Sequence, residues 1–173
     1  MRLALEQVGI IDANLAQQMS QRYHDLRDEY LELFPESGEV LEWTKERFPL
    51  GLITNGPADI QREEIARCGI EPYFQSVLIE GEMGFGKPDP RVFAKAESEL
   101  MVHGCGVLMV GNSYSSDIAP AIAAGWQTIW VKRPTDLPPS SAQELPELKP
   151  VEAPDPDLCI HDLGELLTIL DHR

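Results

Sequence analysis

Three short polar segments stand out because their residue types suit the handling of an anion or a hard cation. The first is Thr54-Asn55-Gly56. A hydroxyl beside backbone N–H groups freed by a tight turn can hold a phosphate oxygen, and the same Asn-Gly pair also makes an ordinary turn. The second is Lys87 in Gly84-Phe85-Gly86-Lys87-Pro88-Asp89-Pro90, where two glycines and two prolines constrain the backbone around one lysine. Such a lysine either places a point charge beside an anion or is the solvated lysine of a helix-entry loop. The third is Gly111-Asn112-Ser113-Tyr114-Ser115-Ser116-Asp117. Asp117 fits the N-cap of a following helix. It equally fits an oxygen ligand for Mg²⁺, which takes one or two carboxylates with water and phosphate oxygens.

The elements that must position these segments read as alternating strands and helices. Leu50 to Thr54 is a predicted strand leading into the first segment. Ser76 to Ile79 precedes the second, and Val107 to Val110 precedes the third. The last of these is nearly all apolar, as for a strand buried on both faces. Predicted helices run from about Asp59 to Arg67, stopped by Gly69, from Asp89 to about Met101, and from Asp117 to Ala124, closed by Gly125. The second helix carries Val92, Phe93, Ala96 and Leu100 on one face. Thr128 to Val131 and Leu158 to Ile160 complete the strands, and Leu163 to Leu170 the helices. This alternation implies parallel βαβ units and an open α/β sheet, whose ligands bind at the carboxyl ends of the strands. Thr54, Lys87 and Asp117 are therefore expected to converge, although more than 60 residues separate the first from the last.

Before Phe48 the pattern is helical. Leu15, Met19, Tyr23, Leu26, Tyr30 and Leu33 recur at steps of three and four, with Asp12 as N-cap and Pro35 and Gly38 as the stop. A short amphipathic piece with Val40, Leu41 and Thr44 follows. Between Pro134 and Asp157 lie seven of the 14 prolines and six acids, which predicts a solvated loop.

Composition narrows the function classes. The 173 residues are 43% hydrophobic and 25% charged, enough for a sizeable core, and the formal net charge is −15. So negative a surface repels phosphate backbones and anionic lipid, so neither nucleic acid nor a membrane is an expected partner. No apolar run approaches the roughly 18–20 residues of a membrane span. Cys68, Cys105 and Cys159 are odd in number and form no CxxC pair, which fits a reducing, cytoplasmic setting. The four histidines have no ligand spacing, Trp126 and Trp130 read as packing residues, and no Gly-x-Ser-x-Gly or Walker loop is present.

Taken together, a Thr after one strand, a Lys in GxGKPDP after the next and a GNSxxxD loop after a third resemble the haloacid dehalogenase superfamily, whose second, third and fourth motifs come in this order. The resemblance runs from about Phe48 to Leu170. It implies an α/β, Rossmann-like parallel-sheet core over residues 37–173, preceded by the remnant of a helical cap at 1–36. It further implies that Thr54 hydrogen-bonds a transferring phosphoryl group, helped by Asn55 and Gly56. Lys87 would neutralise charge, and Asp117 with Asn112 would hold Mg²⁺. Asn112 stands where the family usually has an acid, which removes one negative charge from the metal site. The implied activity is Mg²⁺-dependent hydrolysis of a small phosphorylated metabolite through an aspartyl-phosphate.

The family's first motif, an Asp-x-Asp that ends a buried strand and supplies the nucleophile, is not found. The nearest segment, Val8-Gly9-Ile10-Ile11-Asp12-Ala13-Asn14, lacks the second acid, and Asp12 is better explained as an N-cap. This chain alone is therefore expected to be inactive, with the nucleophile upstream in a longer protein. The alternatives are a metal-independent haloacid dehalogenase, a non-catalytic protein that keeps the phosphate- and metal-binding surface, and a truncated gene product.

Overall fold

The computed structural model describes residues 2–133 and 147–171, so the first part of the expected solvated loop, 134–146, lies outside the described residues. The chain divides into two compact units, Met1–Leu33 and Phe34–Arg173.

The first unit is helical. α1 (Arg2–Gln7) precedes α2 (Ala13–Tyr30), and Asp12 caps α2 as expected, its Oδ1 accepting from Leu15 N at 2.9 Å. Two readings need correction. α1 was not foreseen, and α2 stops at Tyr30, where Leu31 turns extended, well before Pro35. The expected apolar stripe exists but is largely open to solvent: Met19, Tyr23, Tyr30 and Leu33 are all exposed.

The second unit holds the strands. Gly38, expected to end a helix, instead lies inside α3 (Ser37–Lys45), whose Val40 and Thr44 are buried. β1 (Gly51–Thr54) pairs in parallel with β2 (Ser76–Ile79), Thr54 opposite Ile79. β3 (Leu108–Gly111), β4 (Gln127–Val131) and β5 (Leu158–Ile160) form a second parallel sheet in that order. The parallel α/β architecture is thus present, but in two separate sheets. Among the described residues no strand is hydrogen-bonded to the free edge of β1 or of β3. This changes one expectation. Leu108 and Val110 of β3 are only half-buried, whereas Ile129, Trp130 and Val131 of β4 are buried, because β4 has a neighbour on each side.

The helices between the strands are α4 (Ala58–Cys68), α5 (Glu80–Met83), α6 (Pro90–Leu100), α7 (Ala119–Ala123) and α8 (Glu165–Asp171). α4 ends as expected on Gly69, in the left-handed region at φ 65°. α6 starts on Asp89, which is its N-cap rather than part of its first turn; the carboxylate accepts from Arg91 N at 2.9 Å. Hydrogen bonds from the Arg91 side chain, and then from its backbone, hold that carboxyl down to about 2. Val92, Phe93 and Ala96 recur along one helical face, which buries them against Leu78 of β2 and Met109 of β3. That one cluster therefore ties the two sheets together. Phe93 meets Trp126 edge-on, ring centroids 5.2 Å apart. A second cluster joins Val40 of α3, Ile129 and Val131 of β4, Ile160 of β5 and Leu166 of α8.

The described part of the expected loop is not simply solvated. Tyr114 Oη donates to Pro154 O at 2.6 Å, and Asp157 accepts from Thr128 N at 2.8 Å, so 147–157 is fastened along the second sheet. No helix among the described residues is long and apolar enough to cross a membrane.

Phe93 is 1% exposed and stands where the two sheets share one core. Phe93→Ala is expected to cost about 3–5 kcal/mol, read from the urea midpoint at unchanged m-value. A loss below ~1 kcal/mol would show that this cluster does not hold the unit together.

Candidate functional site

Lys87 is the residue on which the three polar segments meet. Its Nζ lies 2.6 Å from Asp117 Oδ1, and both side chains are well covered, 14% and 5% exposed. Its backbone is clamped by the Asn55 side chain: Asn55 Nδ2 donates to Lys87 O at 2.6 Å, and Lys87 N donates to Asn55 Oδ1 at 2.8 Å. The segment after β1 thus fixes the loop after β2, and that loop reaches the helical turn after β3. Gly86 permits the approach, since a Cβ there would stand 2.6 Å from Asn55 Oδ1 and 2.8 Å from Glu80 Cβ.

Thr54 belongs to the same place but is bonded differently. Its hydroxyl donates to Gln61 Oε1 on α4, and Gln61 Nε2 donates to Glu64 Oε2 at 2.8 Å. Gly56 departs from expectation: its N–H, a candidate phosphate donor, is taken by Glu80 Oε2 at 3.0 Å, and its carbonyl accepts from Gly81 N at 3.0 Å. Glu80 is the residue immediately after β2, so that strand's end closes the turn at the end of β1.

Asp117 is not the N-cap that helix-start chemistry suggested. It lies within a π-helical turn, Tyr114–Ile118, and the cap is Ser113, whose Oγ accepts from Ser116 N at 3.2 Å. Asp117 Oδ2 accepts from Ser113 N at 2.9 Å, which leaves Oδ1 turned to Lys87. The carboxylate tucks against the end of β3 because residue 111 is glycine; a Cβ there would sit 2.5 Å from Asp117 Oδ2. Asn112 is exposed, and its carbonyl accepts from the Trp130 indole at 2.9 Å. Among the described residues no hydrogen bond joins its side chain to Asp117 or Lys87.

Glu147 holds this loop from outside. Its carboxylate accepts from Ser113 Oγ and Tyr114 N, both at 2.9 Å, and from Ser115 N at 2.8 Å. Burial pushes its pKa up, but the hydrogen bonds from Ser115, Ser113 and Tyr114 outweigh that and keep it below the ordinary glutamate range.

Sequence reasoning missed Gln61, Glu80 and Glu147. Gln61 sits in the first turn of the helix after the Thr54 segment, and Glu80 directly follows a strand; both places were legible as site-facing. Glu147 had no signal, being more than 30 residues from the loop it holds. As a cation site the donors fit in kind and fall short in number. Asp117 is a buried oxygen donor already facing a cationic ammonium, yet no group of three His, Cys, Asp or Glu able to hold a metal ion occurs among the described residues. What the arrangement offers chemically is one fixed positive charge beside a buried carboxylate, suited to an anion that also brings a cation.

Two measurements check this geometry. Lys87→Met strands a buried carboxylate and is expected to cost about 3–5 kcal/mol in urea unfolding. Adding Asp117→Asn should recover part of the loss; a double variant less stable than the single would overturn the ion-pair assignment. For Glu147, a folded-state pKa below the unfolded one means stability present above the ordinary carboxylate range and lost as pH falls through the lowered value. The Tyr114 and Ser115 amide resonances should move together in an acid titration, with a midpoint below that of exposed glutamates. A midpoint at or above theirs would contradict the contact.

Comparison with known proteins gives the family. The family model described as haloacid dehalogenase-like hydrolase matches residues 1–131. The phosphoserine phosphatase of Thermus thermophilus is 36% identical over 149 residues, covering 86% of this chain and 58% of its own. The glyceraldehyde 3-phosphate phosphatase of Methanopyrus kandleri is 33% identical over 130 residues, 73% of this chain and 56% of its own. The chain thus spans somewhat more than half the length of these relatives. Among solved structures, a HAD phosphatase from Thermococcus onnurineus aligns with TM-score 0.69 at 28% identity, over 86% of this chain and 64% of that one. A HAD-hydrolase from Bacillus subtilis aligns with TM-score 0.77 at 22% identity, over 98% and 69%, a likeness of fold. The chain belongs to the haloacid dehalogenase-like hydrolase family.

Proposed function

We propose that residues 1–173 carry the phosphoryl-positioning part of a phosphate-monoester hydrolase whose nucleophile lies on a further parallel strand between β1 and β3. The observation that carries this reading is the line Asn55–Lys87–Asp117, which links the segment after β1 to the turn after β3, two strands that each keep one edge unpaired among the described residues. A strand there would complete one continuous parallel sheet and bring its own terminal carboxylate to Lys87. The exposed stripe of α2 agrees with the same view, as a face that the rest of a helical cap would cover.

In this reading Lys87 neutralises charge on the phosphoryl group and on the incoming carboxylate, and Thr54 orients a phosphoryl oxygen. Asn55 acts by holding Lys87. The nucleophile displaces the ester oxygen, and water then releases phosphate. Asp117, with Asn112 five residues before it, would be the contribution of this chain to a Mg²⁺ site, completed by carboxylates of that further strand. When bound, the metal supplies Lewis-acid charge on phosphoryl oxygens. The substrate class is a small phosphorylated metabolite, in line with the phosphatase names of the relatives. A second reading, anion binding without turnover, is favoured by one observation: among the described residues the only carboxylate paired with Lys87 is Asp117.

A generic aryl phosphate with Mg²⁺ separates these. The 173-residue chain is expected to be inactive, and a form extended upstream through a strand ending in Asp-x-Asp active. That activity should fall at least about 100-fold on Asp117→Ala or Lys87→Met. Robust turnover by the short chain, or none by the extended one, would overturn the proposal.

A further inference from the structure

An unprotonated phosphoryl oxygen only accepts hydrogen bonds, and a threonine hydroxyl has one proton to give. In this structure that proton is already in use. Thr54 Oγ1 donates to Gln61 Oε1, and the amide cannot easily offer its other end, because Gln61 Nε2 is engaged by Glu64 Oε2 at 2.8 Å. Residues 61 and 64 are neighbours on one helical face, so α4 itself sets the orientation of the amide. Gln61 N in turn donates to Pro57 O at 3.0 Å, and the side chain lies back over the turn, with its Nε2 3.4 Å from where a Gly56 Cβ would stand. Thr54 therefore turns only lone pairs toward any further ligand. Of the other candidate donors here, Gly56 N is occupied by Glu80, Asn55 Nδ2 donates to Lys87 O, and Lys87 Nζ shares its protons with Asp117.

We propose that Gln61 is a positioning residue that competes with phosphate for the Thr54 proton, so that phosphate is held through Thr54 only when the hydroxyl leaves Gln61. This rests on the phosphate reading of the site given above. It makes a prediction opposite in sign to that of a structural role. Removing a merely structural residue weakens binding, whereas removing a competitor strengthens it.

The experiment is calorimetric titration of the 173-residue chain with inorganic phosphate, paired with two-dimensional amide NMR to locate the ion. Gln61→Leu, and Gln61→Ala as a second, helix-favouring variant, are expected to tighten phosphate roughly three- to tenfold, the worth of one net hydrogen bond. The gain should vanish when Thr54→Val is added, and Gln61→Glu, which keeps an acceptor in place, should show none. Unchanged or weaker binding in both Gln61 variants, with phosphate still shifting amides 54–56 and 86–87, would overturn the role of Gln61 and leave the site standing. Phosphate shifts elsewhere, or no binding by any variant, would overturn the site reading and this inference with it.

Discussion

The contact between Lys87 Nζ and Asp117 Oδ1 is the interaction on which the rest of the site depends. Among the described residues the two parallel sheets share no ladder hydrogen bond, so side-chain contacts hold their carboxyl ends in relation. Beneath, that work is done by the apolar cluster around Phe93. At the ends it is done by one lysine, anchored at its backbone by Asn55 and at its tip by Asp117. An ion pair this well covered is not a strong source of stability, because desolvation offsets much of the attraction. Its consequence is geometric: a cation is held at a single point between two strand ends.

Around it, short-range hydrogen bonds take up donors that a ligand would use. Glu80 occupies Gly56 N, Gln61 takes the Thr54 proton, and Glu147 covers the N–H groups of Tyr114 and Ser115. Each of these donors is paired within the chain. Ligand binding at such a site is an exchange of partners, and its strength is a difference between two sets of hydrogen bonds.

The two unpaired strand edges express the same logic in the backbone. Parallel strands are normally covered on both sides, and β3, whose sequence suits full burial, reaches only half-burial at Leu108 and Val110. Among the described residues β3 has one strand neighbour, β4, and its other edge is unpaired. The exposed Met19, Tyr23 and Tyr30 on α2 are a second case of apolar pattern exceeding available cover.

The sequence by itself determined the local elements and the order of the polar segments. The strands that end at Thr54, Ile79 and Gly111, the Asp12 cap and the Gly69 stop depend on residues within a few positions of each other, so propensity and capping chemistry suffice. That the three polar segments come together, through Asn55, Lys87 and Asp117, was legible too, since a parallel α/β chain brings strand ends to one side. The tertiary structure decided how these groups are partnered. Asp117 looked like a cap, yet Ser113 caps the turn and frees the carboxylate for Lys87, thirty residues away. Glu147 carries no local mark at all; its role comes from a segment that returns along the second sheet. Whether a polar group faces solvent, a ligand or another side chain is set by contacts between residues far apart in the chain, and no local pattern encodes them.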